Sequence, residues 1–410
     1  MLKPNGLFYG WYIVAAIALI TTTTSGLVFY NLSVLLDAFV AERGFPVGLT
    51  STATATFFIS SGVGGAVAGR LVDRIDVRAV IATSATIGAI ALSCVGSLRE
   101  LWHLYAFHVV FGLAHGATSL VPVTTLITRW FNVRRALAFS LASTGLSLGG
   151  ILVAPIVSLL ILDFGLSGAA PWMGLAMFLG IVPVTLLVLR PDPKAMGLAP
   201  DGPRFADERN ALDQPMVSFA EARRSLYFYA VSTAYLFLLG SQVGAIAHFY
   251  RLVNVRSGPH TAALALAFMA SASTAGRLAG GGLLLKVRAR WFALVLMLVQ
   301  AASLALLAGA TEPTSILTAA VLFGVTIGNS LMMHPLLLAE RFGPRDYGRI
   351  YSTSQLVTMI GVAGGPALVG CMYEATGGYV VPFLAISALT LIGFAVFAVY
   401  GSERDLETTA

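Results

Sequence analysis

A single arginine, Arg277, lies in the stretch "SASTAGRLAGG" (271–281), and no Asp or Glu occurs between Glu221 and Glu312. A charge in an apolar helix costs about 3 kcal/mol or more to insert, so it normally faces a hydrated cavity or a partner. The planar guanidinium fork matches a carboxylate bidentately, which an ammonium does not. Arg277 is therefore read as an anion ligand. The competing reading is an arginine that bonds helix-end carbonyls or snorkels to the interface. Histidines form the second set. His248 lies in the same half of the chain as Arg277, and its imidazole suits proton exchange near neutral pH; the alternative is a neutral ring bonded to a backbone carbonyl. His108 and His115 stand seven apart with Gly112 and Ser119, giving one polar helical face, and His115 becomes a candidate for substrate binding. His334 precedes Pro335 and reads as local structure. Tyr30 and Asn31 are candidate hydrogen-bond donors to a carboxylate, against the reading of Tyr30 as an interface aromatic. The neighbouring run "TTTTSG" (21–26) proves no site, because threonine hydroxyls bond the preceding turn. Asn329 and Gln355 join as cavity candidates by helix position.

The elements that carry these residues belong to a membrane protein. The 410 residues are 57% hydrophobic and 11% charged, against about 25% charged in a soluble domain. A span needs about 20 apolar residues. Twelve segments qualify: 9–37, 46–69, 79–98, 101–128, 136–162, 170–189, 225–250, 260–285, 291–310, 314–339, 347–373 and 378–400. The long polar interruption at 190–224 divides them six and six. With both termini cytoplasmic, 20 of the 25 Lys and Arg residues face the cytoplasm; Arg43, Arg99, Arg251 and Arg256 face outward, and Arg277 is inside a helix. That asymmetry is the positive-inside pattern, so the net charge of +6 reads as loop charge and no nucleic-acid partner is expected. The first apolar segment reads as a span rather than a cleaved leader. Cys94 and Cys371 are expected as free, buried thiols. No Walker A sequence, metal cluster or catalytic triad is present, so no catalytic residues, metal or cofactor are assigned, and an enzyme or ATP-driven pump is disfavoured. "GRLAGGG" is no phosphate loop, because it lies within a membrane helix.

An internal repeat supports this division. "RWFNVRRALAFSLASTGLSLGGILVAP" from 129 matches "ERFGPRDYGRIYSTSQLVTMIGVAGGP" from 340, pairing Phe131 with Phe342, Arg134 with Arg345, Gly150 with Gly361 and Pro155 with Pro366. The offset of 211 sets Arg277 opposite Ala66, outside the repeated scaffold. The fold class is all-α and integral to the membrane: twelve helices in two pseudo-symmetric six-helix bundles, 1–190 and 225–410, joined by a cytoplasmic linker at 191–224. Two parallel halves with a midplane site are a transporter architecture.

Several stretches resemble the major facilitator superfamily. "GRLVDRIDVR" (69–78) is similar to its loop 2–3 signature: Gly69, Asp73, Arg74 and Arg78 fit, while Asp76 replaces a glycine and Val77 an arginine. The counterpart "GGLLLKVRAR" (281–290) is weaker. "GLSLGGILVAP" resembles the glycine–proline motif of helix 5, and His108 stands where helix 4 usually carries an arginine. Within the superfamily the chain resembles the monocarboxylate-transporter and oxalate/formate-antiporter branch, through "FYGWYIV", "RWFNVRRALAFSLA", "RPDPKAMGLAPDG", "RFGPRDYGRIYS", "GPALVG" and "TGGY". In that branch helix 8 carries the substrate arginine, which "GRLAGG" matches at Arg277. Asn31 stands where proton-coupled animal members have a lysine, and Ser273 where they have an acid. Positions 350–373 lack the second cation of oxalate exchangers. One cation suits one carboxylate, which favours a monocarboxylate over oxalate. The resemblance also implies a cytoplasmic gate network of Asp73, Arg74, Arg134 and Arg135, against ordinary positive-inside charge.

The reading is a secondary transporter of small monocarboxylates, of lactate or pyruvate type, coupled to protons and working by alternating access. A carboxylate exchanger is the alternative within transport, and a transporter-like receptor that binds without flux is the alternative from another class. The expected partners are a small monocarboxylate anion, a proton and the bilayer. The chain is expected to work as a monomer in a bacterial inner membrane.

Overall fold

The computed structural model describes residues 8–72, 74–118, 126, 127, 129–131, 134–200, 217–284, 286–343 and 346–401. Among these the regular structure is helical, as a chain in lipid requires, because each helix satisfies its own backbone polar groups. The helices are α1 (Gly10–Arg43), α2 (Val47–Leu71), α3 (Val77–Ser93) and α4 (Leu101–Thr118). A continuous run from Arg135 to Leu187 bends at Gly165 into α5 (135–164) and α6 (166–187). Leu226–Leu283 bends likewise at Gly258 into α7 (226–257) and α8 (259–283). The remaining helices are α9 (Ala289–Gly309), α10 (Pro313–Phe342), α11 (Tyr347–Thr376) and α12 (Val380–Tyr400). Gly165 and Gly258 have φ of 66° and 82°, the left-handed region that only glycine enters freely. Eight helical runs among the described residues are long and apolar enough to cross a membrane, against the twelve expected; two of the eight are the bent runs, and α2 and α4 are not among them.

The chain divides into two compact units, Met1–Gly44 with Thr56–Ala206, and Phe45–Ala55 with Asp207–Ala410. The first turns of α2 therefore group with the second unit. Around an apolar core, large apolar side chains also face outward and some polar ones are buried. Trp102, Ile156, Leu187, Leu278 and Ile360 are exposed, while Thr21, Ser60, Gln300, Thr326 and Ser354 are buried. That exposed apolar surface is far more than a water-soluble monomer shows. Cys94 and Cys371 are free but exposed, correcting the expectation of buried thiols: apolar helices here turn much of their surface to lipid, so an apolar neighbourhood in sequence does not imply an interior.

Small residues let the helices approach closely, and each unit repeats the same contacts. In the first unit, a Cβ on Gly112 would lie 2.4 Å from Phe57 O, and one on Gly116 2.0 Å from Ser61 O. In the second, Gly324 meets Met269 O at 2.2 Å and Gly328 meets Ser273 O at 2.4 Å. All four positions of the α2–α4 crossing recur 212 residues later at the α8–α10 crossing, with Met269 in place of Phe57. The helix 1 to helix 5 contact also recurs, with Gly145 and Gly149 against Ala18 O and Thr22 O, and Gly361 and Gly365 against Leu236 O and Gly240 O. One feature breaks the repeat. α1 and α5 carry π-helical turns at Ser25–Tyr30 and Gly149–Val153, packed where Gly26 meets Gly149 O at 2.7 Å.

Two arginines close equivalent helix ends. Arg43 donates to Gly96 O, beyond the end of α3, and to Ser167 Oγ at 2.7 Å. Arg256 donates to Leu307 O, Ala308 O and Ala310 O at 2.6, 2.9 and 2.8 Å, satisfying the orphan carbonyls at the end of α9. Asp76, which departs from the loop signature, has a local task. It caps α3, accepting from Arg78 N at 2.9 Å, and pairs with the Arg78 guanidinium at 2.6 Å. That hydrogen-bonded guanidinium holds the Asp76 carboxyl below the usual carboxylate range.

Candidate functional site

Arg277 is held by the α8–α10 crossing. Gly328 opens the space beside it, since a Cβ there would stand 3.3 Å from Arg277 Cβ and 3.0 Å from Ser273 Oγ. Ser273 is buried one turn before Arg277, which is half-buried. Asn329 fastens the crossing: its Nδ2 donates to Gly276 O and to Val325 O, both at 2.9 Å. The carbonyl preceding Arg277 is thus tied to α10 by a side chain one residue from Gly328. The structure brings Arg277, Ser273 and Asn329 together. The 212-residue offset sets Gly65 at the place of Arg277, one residue from the Ala66 expected, because the α2–α4 contacts run a residue out of register with the Phe131–Phe342 match. A Cβ on Gly116 would stand 2.6 Å from Gly65 N, so the first unit fills that place with close backbone packing. Arg277 lies 18 residues from Pro259 and six from Leu283, about 9 Å from the latter end. That is nearer than the eight residues the sequence suggested, since α8 ends at Leu283 rather than 285.

Gln355 belongs to a different cluster. It hydrogen-bonds His334, whose Nε2 is also 2.8 Å from Ser354 Oγ. Ser232 donates to Ser354 at 2.8 Å, and Tyr235 stacks on the His334 ring at 4.6 Å. His334 thereby ties α7, α10 and α11 together, which the expectation of purely local structure did not anticipate. His248 lies further along α7, fully buried. Its Nε2 is 3.1 Å from Ser51 Oγ and 3.1 Å from Pro366 O, and its Nδ1 is 3.2 Å from Tyr379 Oη. The backbone contact weighed from sequence is present, together with two side-chain partners that were not foreseen.

The first unit holds the remaining candidates. Asn31 is fully buried, its Nδ2 3.1 Å from Leu27 O and 3.8 Å from Met173 Sδ, so it faces α6. Tyr30 is buried at the end of the π turn, edge-on to Phe29. His115 Nδ1 is 2.9 Å from Ser61 Oγ, with Phe57 against the ring at 5.3 Å, and His108 bonds Leu104 O at 2.8 Å. Thr21, Thr22, Thr23 and Thr24 each donate to the preceding turn; Thr21 Oγ1 is also 3.0 Å from Ala142 O of α5. Of the gate candidates, Asp73 lies outside the described residues, as does Ser119; Arg74 and Arg134 are exposed, and Arg135 opens α5. Ser51 and Tyr379 were missed from sequence. Tyr379 stood in the quoted "TGGY", but Ser51 carries no local signal.

The sequence profile of the Major Facilitator Superfamily matches residues 18–337. The chain belongs to that superfamily. Monocarboxylate transporter 11 of Mus musculus is 28% identical over 96% of this chain and 88% of its own length. Monocarboxylate transporter 13 of Rattus norvegicus is 28% identical over 81% of this chain and 75% of its own. Among solved structures, a bacterial homologue of the human lysosomal transporter Spinster, in an inward-facing unoccupied conformation, superposes with a TM-score of 0.74 at 18% identity, covering 98% and 99% of the two chains. The nucleoside transporter NupG gives 0.74 at 15% identity, covering 97% and 100%. The protein is a multi-pass membrane transporter of this superfamily, with the fold and relatives of transporters rather than enzymes.

Proposed function

We propose that the protein is a proton-coupled symporter of small monocarboxylates of the lactate or pyruvate type, with Arg277 as the carboxylate anchor. The observation that carries the reading is the lone arginine of α8, built into the α8–α10 crossing where the first unit has Gly65, in a stretch of chain without an acid from 222 to 311. Relatives bearing the name monocarboxylate transporter support the substrate class. His248 carries the proton, so that ion and carboxylate cross together without net charge. Ser273, Asn329 and Gln355 in the second half, and Tyr30, Asn31 and His115 in the first, are the proposed substrate-binding residues. Asn31 is the weakest of these because it faces Met173. The proposed topology is twelve spans in two six-helix bundles, 1–190 and 225–410, with both termini cytoplasmic in a bacterial inner membrane. The monomer is the working unit, and Asp73, Arg74, Arg134 and Arg135 form the cytoplasmic gate.

The test is uptake of labelled L-lactate into proteoliposomes, with and without an inward proton gradient, for the wild type and Arg277→Ala. Gradient-driven uptake that the variant loses supports the reading. No uptake under either condition by folded protein overturns it. A carboxylate exchanger is the second reading, favoured by Asn31 and Ser273 standing where a proton relay would need a cation and an acid. Flux that appears only with internal carboxylate would establish it.

A further inference from the structure

His248 stands where three elements of the second unit meet: Ser51 of α2, Pro366 of α11 and Tyr379 beside α12. Its protonation pattern follows from its partners. Ser51 Oγ donates to Val47 O at 2.5 Å, so it offers the imidazole only a lone pair. Pro366 O also only accepts. Nε2, 3.1 Å from both, is therefore assigned the hydrogen. In the neutral ring Nδ1 is then an acceptor, and the Tyr379 hydroxyl, 3.2 Å away, is its donor. When a proton binds the Nδ1 lone pair this bond reverses: Nδ1–H donates, and the hydroxyl turns about its C–O bond to accept. The contacts at Nε2 keep their direction and become charge-assisted, hence stronger.

Ser51 lies on Phe45–Ala55, the segment running into α2 that groups with the second unit. The piece is held at one further point and is closely approached by α11 at Ser51. Gly48 N donates to Glu374 at 2.8 Å, and a Cβ on Gly370 would stand 2.2 Å from Ser51 Oγ. The titratable and charged groups around the ring are Arg251 on α7, Glu374 and Tyr373 on α11, and Tyr379; Phe45–Ala55 contributes none.

We infer that Tyr379 positions the proton on Nδ1 of His248, and that the same ring clamps Phe45–Ala55 through Ser51, so that proton loading tightens the docking of this segment. The inference rests on the reading of His248 as proton carrier, and its test does not use transport. Spin labels at Leu49→Cys and Val381→Cys, both exposed, in a Cys94→Ala, Cys371→Ala background, report the distance between the segment and the start of α12 in nanodiscs. It is measured at about pH 4 and about pH 8, a span that covers titration of a fully buried imidazole. The docked-to-undocked ratio is expected to rise several-fold at the lower pH, and Tyr379→Phe and Ser51→Ala are each expected to abolish the rise. A ratio equal at the two pH values, or a rise that survives Tyr379→Phe, overturns the inference. Failure of lactate uptake with a pH-dependent ratio intact would sink the substrate reading alone.

Discussion

Gly328→Ala tests how tightly the α8–α10 crossing sets the position of Arg277. The new methyl would lie 2.4 Å from Ser273 O, where an ordinary contact begins at 3.4 Å, so the helices must part by about 1 Å. The obstacle is backbone, which no rotamer change relieves. Overpacking of this kind costs about 1–3 kcal/mol. Parting the helices also stretches the bond from Asn329 to Gly276 O at 2.9 Å, worth about 1 kcal/mol. The expected loss is about 2–4 kcal/mol of stability. Displacing the proposed anchor by about 1 Å should reduce uptake on the order of 100-fold. Thermal unfolding in detergent and initial rates in proteoliposomes measure the two effects. Gly281→Ala is the control, since a Cβ there meets nothing within 4 Å, and it should keep both properties. Wild-type stability and uptake in Gly328→Ala would refute the argument that backbone approach fixes the anchor.

Three further outcomes follow from named contacts. Asn329→Ala leaves Gly276 O without its partner from α10 and should cost about 1–3 kcal/mol, with uptake falling alongside; an unchanged unfolding temperature would contradict this. Arg256→Ala removes three bonds to the end of α9 and should lower stability by about 2 kcal/mol, and Arg256→Lys should restore it only in part because an ammonium lacks the fork. Asp76→Ala should cost about 1 kcal/mol as a lost N-cap, while Asp76→Asn retains most of the cap. The Asp76 carboxyl is depressed in the fold by Arg78. Its contribution is therefore present above the ordinary carboxylate pKa and fades as pH falls through the lower folded value, and stability-against-pH curves of the two variants should lack that fading.

The membrane class, the helix positions and the repeat were legible because they rest on composition and on periodic small residues, which a single sequence displays directly. α9 was expected at 291–310 and is Ala289–Gly309; α10 was expected at 314–339 and is Pro313–Phe342. Arg277 was legible because a charge in an apolar helix is conspicuous. Asp76 as a cap could have been read from its place before "VRAV", but the signature comparison drew attention to the glycine it replaces. The one-residue difference between the 211 and 212 offsets was not legible, since it depends on which carbonyl sits over which glycine. The π turns of α1 and α5 have no periodicity signal. The partners of His248 come from positions 51, 366 and 379, and sequence separation hides such meetings. Asn31 was placed on the right helix, but the π turn just before it helps decide the face it presents.

The central claim is that Arg277 holds the carboxylate, and equilibrium binding of labelled L-lactate to the purified protein in nanodiscs tests it most directly. Binding avoids the question of coupling, because symporter and exchanger alike must bind. A bidentate charged pair contributes about 1.5–3 kcal/mol, so Arg277→Ala should weaken binding by roughly tenfold to more than a hundredfold, with Arg277→Lys between the two. Equal affinity in wild type and Arg277→Ala, with both folded, would contradict the account and return Arg277 to the role of an arginine snorkelling toward the near end of α8.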